Sequence, residues 1–408
     1  MSKYLFLGIT LAVSTSLLCM RIATPNWFFS IFGGGPEREV AYETNHLHAE
    51  ITVNTPIKSN GKKIQLALLL DTSNSMDGLL EQAKSQLWML VNELVSMQKD
   101  GATPDVEIAL YQYGNDELII LDGYVQQISP FSTDLDFISK KLFELTTNGG
   151  SEYCGEAIKH SLTSLNWTNN PEDLKVVFIA GNEPFNQGPV SYIQAVQSAF
   201  GNNIIVNTIH CGSYEDGKKD FWLDAAENGG GEYLNIDHND QVVHIPTPYD
   251  DEIISLNSQL NKTYIYYGHN GLAKAEEQLR QDQNALTFSD ANFRTRAMVK
   301  SKKVYDNSAW DMVDMQTRSG SSDFIDHLDV SQISVELKDM SVEERKSYVT
   351  EKSEERQAIK EKLQELEAKV KVHLAKERVK LQDKQTLDHV MIAAIKKQAA
   401  IKNFKSSK

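Results

Sequence analysis

The sequence has 408 residues, of which 41% are hydrophobic and 24% charged, an ordinary balance for a globular protein. Its formal net charge of −15 argues against nucleic-acid binding, because such proteins carry a broad excess of Lys and Arg. The length allows one sizeable domain together with further segments.

The N-terminus carries a mostly apolar run, residues 4–20, between Lys3 and Arg21. This pattern is typical of an export signal or a short anchor, and its length falls between the two. We predict that residues 1–23 are a signal peptide or N-terminal membrane anchor, and that the protein is exported to the periplasm or cell envelope. Residues 24–62 are predicted to be a lead-in or linker, with a short edge strand at 46–54.

Residues 64–70 are apolar throughout, as expected for a strand buried on both faces of a parallel sheet. Residues 117–121 follow the next strand, 106–113, after only three residues, so these two are expected to pair antiparallel as a hairpin. The sequence predicts an α/β fold: a doubly wound, mostly parallel sheet with one antiparallel edge strand. Further strands are predicted at 174–180, 203–210 and 232–236, and helices at 79–97, 134–145, 155–165, 189–200 and 219–227.

The alternation of predicted strands and helices ends at about residue 240. We predict a mixed region, residues 241–340, that packs on the sheet domain with Trp310 as a buried anchor. Residues 341–408 have helical apolar spacing and are predicted to form an amphipathic tail or short coiled coil whose lysine-rich end is solvated. A basic run is interpreted as a solvated helix face: Arg294, Arg296, Lys300, Lys302 and Lys303.

Three oxygen-bearing side chains follow the first strand directly: Asp71, Ser73 and Ser75. The carboxyl ends of parallel strands are where open α/β sheets bind ligands. Carboxylate and hydroxyl oxygens are hard donors, which suit Mg²⁺ or Mn²⁺ better than zinc or copper. The alternative is that Asp71 only caps and orders the loop before the next helix.

The DxSxS motif at Asp71, Ser73 and Ser75, the buried strand before it and the order of elements over residues 63–240 resemble a von Willebrand factor type A domain. Members of this family bind a divalent cation at a metal-ion-dependent adhesion site formed by three loops. The resemblance implies one ion, Mg²⁺ (or Mn²⁺ or Ca²⁺), held by these three residues. Neutral hydroxyl ligands leave much of its charge uncancelled, so a partner's carboxylate can join them.

The second and third loops depart from the family pattern. In the second loop, Ser151 is the nearest hydroxyl, and Glu152 is a rival because the spacing to the next helix is one residue longer. In the third, the usual acidic residue aligns with Gly181, which leaves Asn182 and Glu183 as substitutes. The resemblance therefore implies Ser151, Glu152 and Glu183 as further candidate ligands.

Two cysteines, Cys154 and Cys211, lie outside the N-terminal segment. An exported protein with two cysteines can form one disulfide, and two free buried thiols are the alternative. In a fold of the resembled family both would lie at the same edge of the sheet, so the resemblance implies a Cys154–Cys211 disulfide that braces the second loop.

Segments such as AGNEPFNQGPV and SKKVYDNSAWDMVD are similar to exported bacterial proteins with one such domain and a charged helical tail. The resemblance implies a non-enzymatic binding or adhesion module that captures an acidic residue of a protein partner through the cation. No activated nucleophile or cofactor loop is identified. The alternative is a cell-envelope scaffold that acts through its helical tail and retains a vestigial metal site.

Overall fold

The computed structural model describes residues 59–236, 244–378 and 387–406. The chain divides into two compact units, Met1–Ala49 and Glu50–Lys408, and all described residues lie in the second. The predicted signal or anchor and the predicted edge strand at 46–54 lie outside the described residues. None of the described helices is both long and apolar enough to cross a membrane.

A six-stranded sheet forms the core of the first half of the described chain. The strands are β1 (Lys63–Asp71), β3 (Asp105–Tyr113), β4 (Val125–Ser132), β5 (Leu174–Gly181), β6 (Ile205–Cys211) and β7 (Gly230–Ile236), and β2 (Met97–Gln98) lies outside this sheet. The strand order is β4-β3-β1-β5-β6-β7, with β4 antiparallel at one edge and the other five strands parallel. The predicted fold class is therefore confirmed.

Helices cover both faces of the sheet. Alternate residues of β1 point to opposite faces: Leu68 and Leu70 join one apolar cluster, and Ala67 and Leu69 join the other. Because both faces are buried, the strand reads as a continuous apolar run. The helices are α1 (Asp77–Val95), α2 (Leu135–Phe143), α3 (Cys154–Ser164), α4 (Tyr192–Gly201), α5 (Tyr214–Lys219) and α6 (Trp222–Asn228).

The antiparallel edge strand is present, but its predicted position is wrong. Residues 117–121 do not pair with β3; they belong to a loop, residues 115–124, that precedes β4. Local turn chemistry accounts for the difference, because the Asn115 side chain accepts a hydrogen bond from the Glu117 amide and Gly114 N–H closes the loop onto Tyr124 O. The apolar residues 119–121 are consequently exposed rather than paired.

The C-terminal helices pack on one another and on the sheet domain. The elements are α7 (Asp250–Asn261), α8 (Gly271–Phe288), α9 (Asp290–Lys300), α10 (Met312–Ser319), α11 (Val342–Arg378), α12 (Leu387–Ile401) and β8 (Lys405–Ser406). The long helix α11 carries an apolar stripe that comprises Ile359, Leu363, Leu366 and Val370. This stripe lies against α7 and α9, so this side of the helix is already covered by its own chain.

The last helix, α12, covers part of the sheet. Leu387, Met391 and Ile395 belong to the same apolar cluster as Leu68 of β1, and β8 pairs antiparallel with β2. The helix is amphipathic as predicted: Lys396 and Lys397 are exposed, whereas every third or fourth residue is apolar and buried.

Three of the five basic residues interpreted as a solvated face are buried on α9, which corrects that interpretation for them, whereas Lys303 is exposed. Arg294, Arg296 and Lys300 are each at most 4% exposed, and each forms an ion pair with an aspartate. Those aspartates lie on other helices, which explains why local periodicity did not reveal the pairing. Trp310 is buried as predicted, with its ring stacked on Tyr264 at 5.8 Å between centroids.

Candidate metal centre

The first loop places Asp71, Ser73 and Ser75 together at the carboxyl end of β1. Asp71 is fully buried, and its Oδ1 accepts a hydrogen bond from the Ser73 amide at 2.7 Å. The Ser73 and Ser75 hydroxyls lie 3.1 Å apart. Asp71 and Ser73 are buried while Ser75 is exposed, so the cluster opens to solvent on the Ser75 side. The motif brings three oxygen donors to one point.

The second loop is held against the first by backbone hydrogen bonds. Asn148 N–H donates to Thr72 O at 2.9 Å, and Asn74 N–H donates to Gly149 O at 3.1 Å. These backbone hydrogen bonds fix the position of the second loop relative to the first, and so the distance between their side chains.

Of the two candidates in the second loop, Glu152 is the one beside Asp71. Glu152 is only 3% exposed and lies within hydrogen-bonding reach of Asp71 and Ser73. The backbone of Ser151 forms an isolated antiparallel bridge with Gly114. Because neighbouring residues of an extended segment point to opposite sides, we expect the Ser151 hydroxyl to point away from the Asp71 carboxylate.

Gly114 allows this close approach. It has a φ of 79°, and a Cβ there would lie 2.7 Å from Asp71 Oδ1 and 2.8 Å from Glu152 Cγ. Only glycine fits both the backbone conformation and the space. The two carboxyl groups therefore share a close-fitting cradle.

No cationic side chain balances this carboxyl pair within the described residues: none of the ion pairs there includes Asp71 or Glu152. Asp71 Oδ2 is buried and has no hydrogen-bond donor. Burial raises the pKa of Asp71, and burial together with the charge of Asp71 raises the pKa of Glu152 to about 9. Two carboxyl groups this close cannot both be ionised unless a cation lies between them; without a cation, one of them keeps its proton.

The third loop contributes an amide rather than a carboxylate. Asn182 Oδ1 accepts a hydrogen bond from the Ser75 hydroxyl at 3.2 Å. Glu183 is exposed, and its main-chain oxygen accepts from the Trp222 indole at 2.9 Å. Its charge contributes to the raised pKa of Asp71, so it lies at the rim of the cluster.

The missing acidic residue at position 181 has a steric cause. A Cβ on Gly181 would lie 2.5 Å from the Tyr113 hydroxyl and 3.0 Å from Asp71 Oδ2. The Tyr113 hydroxyl donates to Ala180 O at 2.9 Å and occupies the space that a longer side chain would need. The second carboxylate of the cluster therefore comes from the second loop, at Glu152.

The donor set fits a hard divalent cation. It consists of two carboxylates, two hydroxyls and one amide oxygen, and one oxygen of the Asp71 carboxylate is buried without a hydrogen-bond partner. In the ranges 59–236, 244–378 and 387–406, no group of three or more His, Cys, Asp or Glu side chains gathers as a metal site. The candidate rests instead on hydroxyl ligands, which suit Mg²⁺ or Mn²⁺ better than zinc.

The implied disulfide is not formed. Cys154 and Cys211 are both free and buried. Cys154 packs in the apolar cluster on one face of the sheet and Cys211 in the cluster on the other, so the sheet separates them. The Cys154 thiol lies 3.7 Å from the Tyr113 hydroxyl instead.

The sequence missed the roles of Gly114 and Tyr113. Gly114 follows a predicted strand, and a glycine there is a local signal for a close approach. Tyr113 is the last residue of a predicted strand, so its position at the carboxyl end of the sheet could be predicted. Nothing local indicated that its hydroxyl would reach the third loop.

A family model described as von Willebrand factor type A domain matches residues 65–224. No curated protein matches the sequence. Solved structures with a similar fold include the SpRpn10 VWA domain, which is 17% identical, with 44% of this chain and 90% of that chain covered and a TM-score of 0.33.

Two further solved structures are similar to this chain at low identity. Proximal thread matrix protein 1 from the mussel byssus, with a zinc-occupied MIDAS motif, is 14% identical, with 42% of this chain and 41% of that chain covered and a TM-score of 0.32. The conserved hypothetical protein BatB from Bacteroides thetaiotaomicron is 14% identical, with 54% and 99% covered and a TM-score of 0.32. This chain thus spans about two fifths of the mussel protein.

Proposed function

We propose, from the premise that residues 65–224 form a von Willebrand factor type A domain, that this protein is a non-enzymatic binding module. It captures an acidic residue of a protein partner through a divalent cation. The observation that carries the proposal is the buried Asp71–Glu152 carboxyl pair, which has two hydroxyls beside it and no cationic side chain among the described residues.

Asp71, Ser73, Ser75 and Glu152 are the residues that would hold the ion, with Asn182 beside them. When bound, the cation supplies a Lewis-acidic position at which a partner's carboxylate oxygen can bind. Asp71 fixes the first loop through the Ser73 amide, and Gly114 fixes the spacing of the two carboxyls. Ser75 and Asn182 border the solvent side, from which the partner approaches.

Glu152 changes the strength expected of this capture. Two carboxylates formally balance the charge of a divalent cation, whereas a site with one carboxylate leaves a positive charge to attract a partner. A lone carboxylate should therefore bind weakly here, and a physiological partner must make further contacts. A site in which the second loop supplies a hydroxyl instead of Glu152 should bind a lone carboxylate more tightly.

The scaffold alternative receives less support. It needs a helical tail with a free apolar side, and the stripe of α11 is covered by α7 and α9. Export to the cell envelope remains part of the proposal. It rests on the apolar N-terminal run in the sequence.

The test is titration of the full chain with Mg²⁺ and Mn²⁺, followed by thermal unfolding. A bound ion stabilises the folded state by mass action, so the wild type should gain several degrees at saturating metal. Asp71→Ala and Ser73→Ala should lose that gain. Ser151→Ala is the matched control, because it removes a neighbouring hydroxyl that we expect to point away from Asp71, and it should retain the gain.

Carboxylate capture has a separate readout. Water-proton relaxation by protein-bound Mn²⁺ should fall when a short peptide with a single Asp is added, because its carboxylate displaces bound water. The same peptide with Asn should have no effect. A wild type that gains no stability from either metal would overturn the proposal, as would equal gains in the Asp71→Ala variant.

A further inference from the structure

Three consecutive large apolar side chains are exposed on the loop of residues 115–124. Ile119 is 63% exposed, Ile120 is 66% exposed and Leu121 is 93% exposed. Within the described part of the chain, the other exposed large hydrophobic residues are isolated in sequence. Single exposed apolar residues are ordinary, but a contiguous apolar run on the surface marks an interaction site.

This loop is held in one conformation by internal hydrogen bonds. The Leu118 amide donates to Asn115 O at 3.0 Å, and the amides of Asp122 and Gly123 donate to the carbonyls of Ile119 and Ile120 at 3.0 Å each. Gly123, with a φ of 67°, packs so closely on Glu156 of α3 that a Cβ would lie 2.5 Å from its Cγ. A loop already held in one conformation loses little entropy when it binds.

The loop adjoins the candidate metal centre. Its Asp116 amide donates to Asn148 O of the second loop at 3.3 Å, and a Cβ on Gly149 would clash with the Asp116 side chain. Gly114, which begins this segment, cradles both Asp71 and Glu152. A partner that reaches the metal centre therefore meets the apolar tip on the same surface.

The charges beside the tip define the partner. Asp116, Glu117 and Asp122 are all exposed, so acidic groups flank the apolar side chains on both sides. This pattern disfavours an anionic lipid surface and suits a protein groove with an apolar floor and a rim of Lys or Arg.

The geometry points to a two-point interface: a protein partner receives Ile119, Ile120 and Leu121 in a basic-rimmed apolar groove while one of its carboxylates joins the metal centre. The inference rests on the proposed metal-dependent binding and adds the second contact that a charge-balanced ion requires. Large apolar anchors at the centre of an interface commonly supply most of its affinity.

The test uses the immobilised full chain in Mg²⁺ and a phage library that displays protein fragments from the source genome. For each enriched fragment, Kd is measured against the wild type and loop variants. We expect Leu121→Ser to weaken binding about tenfold, and the triple variant Ile119→Ser, Ile120→Ser, Leu121→Ser at least about 100-fold. Higher ionic strength should weaken binding too, because the groove rim is basic.

A matched control replaces two exposed leucines elsewhere, Leu272 and Leu279 of α8, each 52% exposed, by serine. It should leave Kd unchanged. Loss of binding in the loop variant with retention after Asp71→Ala would keep the docking site and overturn metal capture; the reverse pattern would keep metal capture and overturn the docking site.

Three further outcomes would overturn the inference. The first is enrichment of no fragment whose binding depends on the loop. The second is loop-dependent binding to vesicles of phosphatidylcholine and phosphatidylglycerol. The third is self-association of the wild type that the loop variant abolishes, seen in sedimentation velocity, because the occupant would then be a second copy of this chain.

Discussion

Two buried acidic pairs in this protein differ in one component. Asp136 of α2 and Asp282 of α8 lie around Arg296, whose Nη1 and Nε atoms are each 2.6 Å from a carboxylate oxygen, and Lys300 Nζ lies 2.9 Å from Asp282 Oδ2. Asp71 and Glu152 have no such cation among the described residues. The chain supplies the positive charge around Arg296, and that cluster joins helices. In the part that the structure describes, it supplies none beside Asp71 and Glu152, so this pair can accept an ion from solution.

The pKa values follow the same difference. Burial alone would raise the pKa of Asp282, but the charges of Lys300 and Arg296 outweigh it and hold that pKa below its ordinary range. At Glu152, burial and the charge of Asp71 act in the same direction and raise the pKa. The comparison therefore predicts opposite responses to mutation and to pH.

The largest expected effect comes from removing the internal cation. Arg296→Met leaves Asp136 and Asp282 without their shared partner and removes a guanidinium that lies 4.5 Å from the Trp88 ring centroid. Breaking a buried ion pair on one side should lower the free energy of unfolding by about 4 kcal/mol. Urea unfolding measures it.

The matched control is Arg280→Met on α8. The Arg280 side chain is 62% exposed and its ion pair with Glu277 is 3.6 Å long, so the change should stay below about 0.5 kcal/mol. If the two variants were equally stable, the buried cluster would not join the helices as described.

The next effect concerns pH. Without metal, folded Glu152 keeps its proton up to about pH 9, whereas the unfolded residue releases it near 4.5. The folded state therefore binds more protons in this window, and stability must fall as pH rises, by up to about 1.4 kcal/mol per unit. The free energy of unfolding in EDTA should therefore be lower at about pH 8.5 than at about pH 6.

Glu152→Gln isolates this contribution, because an amide has no proton to release in that range. The free energy of unfolding of Glu152→Gln should change less between about pH 6 and about pH 8.5. Saturating Mg²⁺ should restore the stability that the wild type loses at about pH 8.5. A wild type whose pH dependence matches that of Glu152→Gln would show that the second carboxyl does not share the site with Asp71.

A smaller effect is expected at Gly181. In Gly181→Ala the new methyl group meets the Tyr113 hydroxyl at 2.5 Å, so either the side chain or the strand end must shift. We expect a loss of about 1–2 kcal/mol, together with weaker Mg²⁺ binding, because Asp71 Oδ2 is the next nearest atom. Calorimetric titration and urea unfolding measure the two effects.

Adding Tyr113→Phe should relieve part of that loss. The double variant should be more stable than the sum of the two single changes predicts, because removing the hydroxyl opens the space that the methyl group needs. Strict additivity would mean that Tyr113 does not limit position 181.

The smallest effect is expected for reductant. Cys154 and Cys211 are free thiols on opposite faces of the sheet, so a reducing agent should change the free energy of unfolding by less than about 0.5 kcal/mol. Mass spectrometry after thiol alkylation should find both residues modified in unfolded, unreduced protein and neither in the native protein. Detection of peptides that contain Cys154 and Cys211 linked to each other would show that the disulfide forms after all.

The sequence was most informative where the structure depends on local pattern. The apolar run of β1 and the spacing of Asp71, Ser73 and Ser75 predicted a central strand and the first loop. The choice between Ser151 and Glu152 stayed open because it depends on a backbone bridge to Gly114, which is distant in sequence.

The errors share a related cause. The buried state of Arg296 depends on carboxylates of α2 and α8, and the position of the edge strand depends on turn contacts around Asn115. A residue's own neighbours in sequence do not encode such partners. The domain boundaries at 240 and 340, the set of metal ligands and the export of the protein remain predictions.

The position of α12 has a consequence for how the chain reaches its native state. The apolar face of β1, β5 and β6 is completed by Leu387, Met391 and Ile395, which come from the far end of the sequence. During synthesis, helix α1 can cover its share of this face early, but the part that α12 covers stays exposed until the last helix is made. Contacts so distant in sequence slow folding, so nascent chains that end before α12 should depend on chaperones that shield exposed apolar surface.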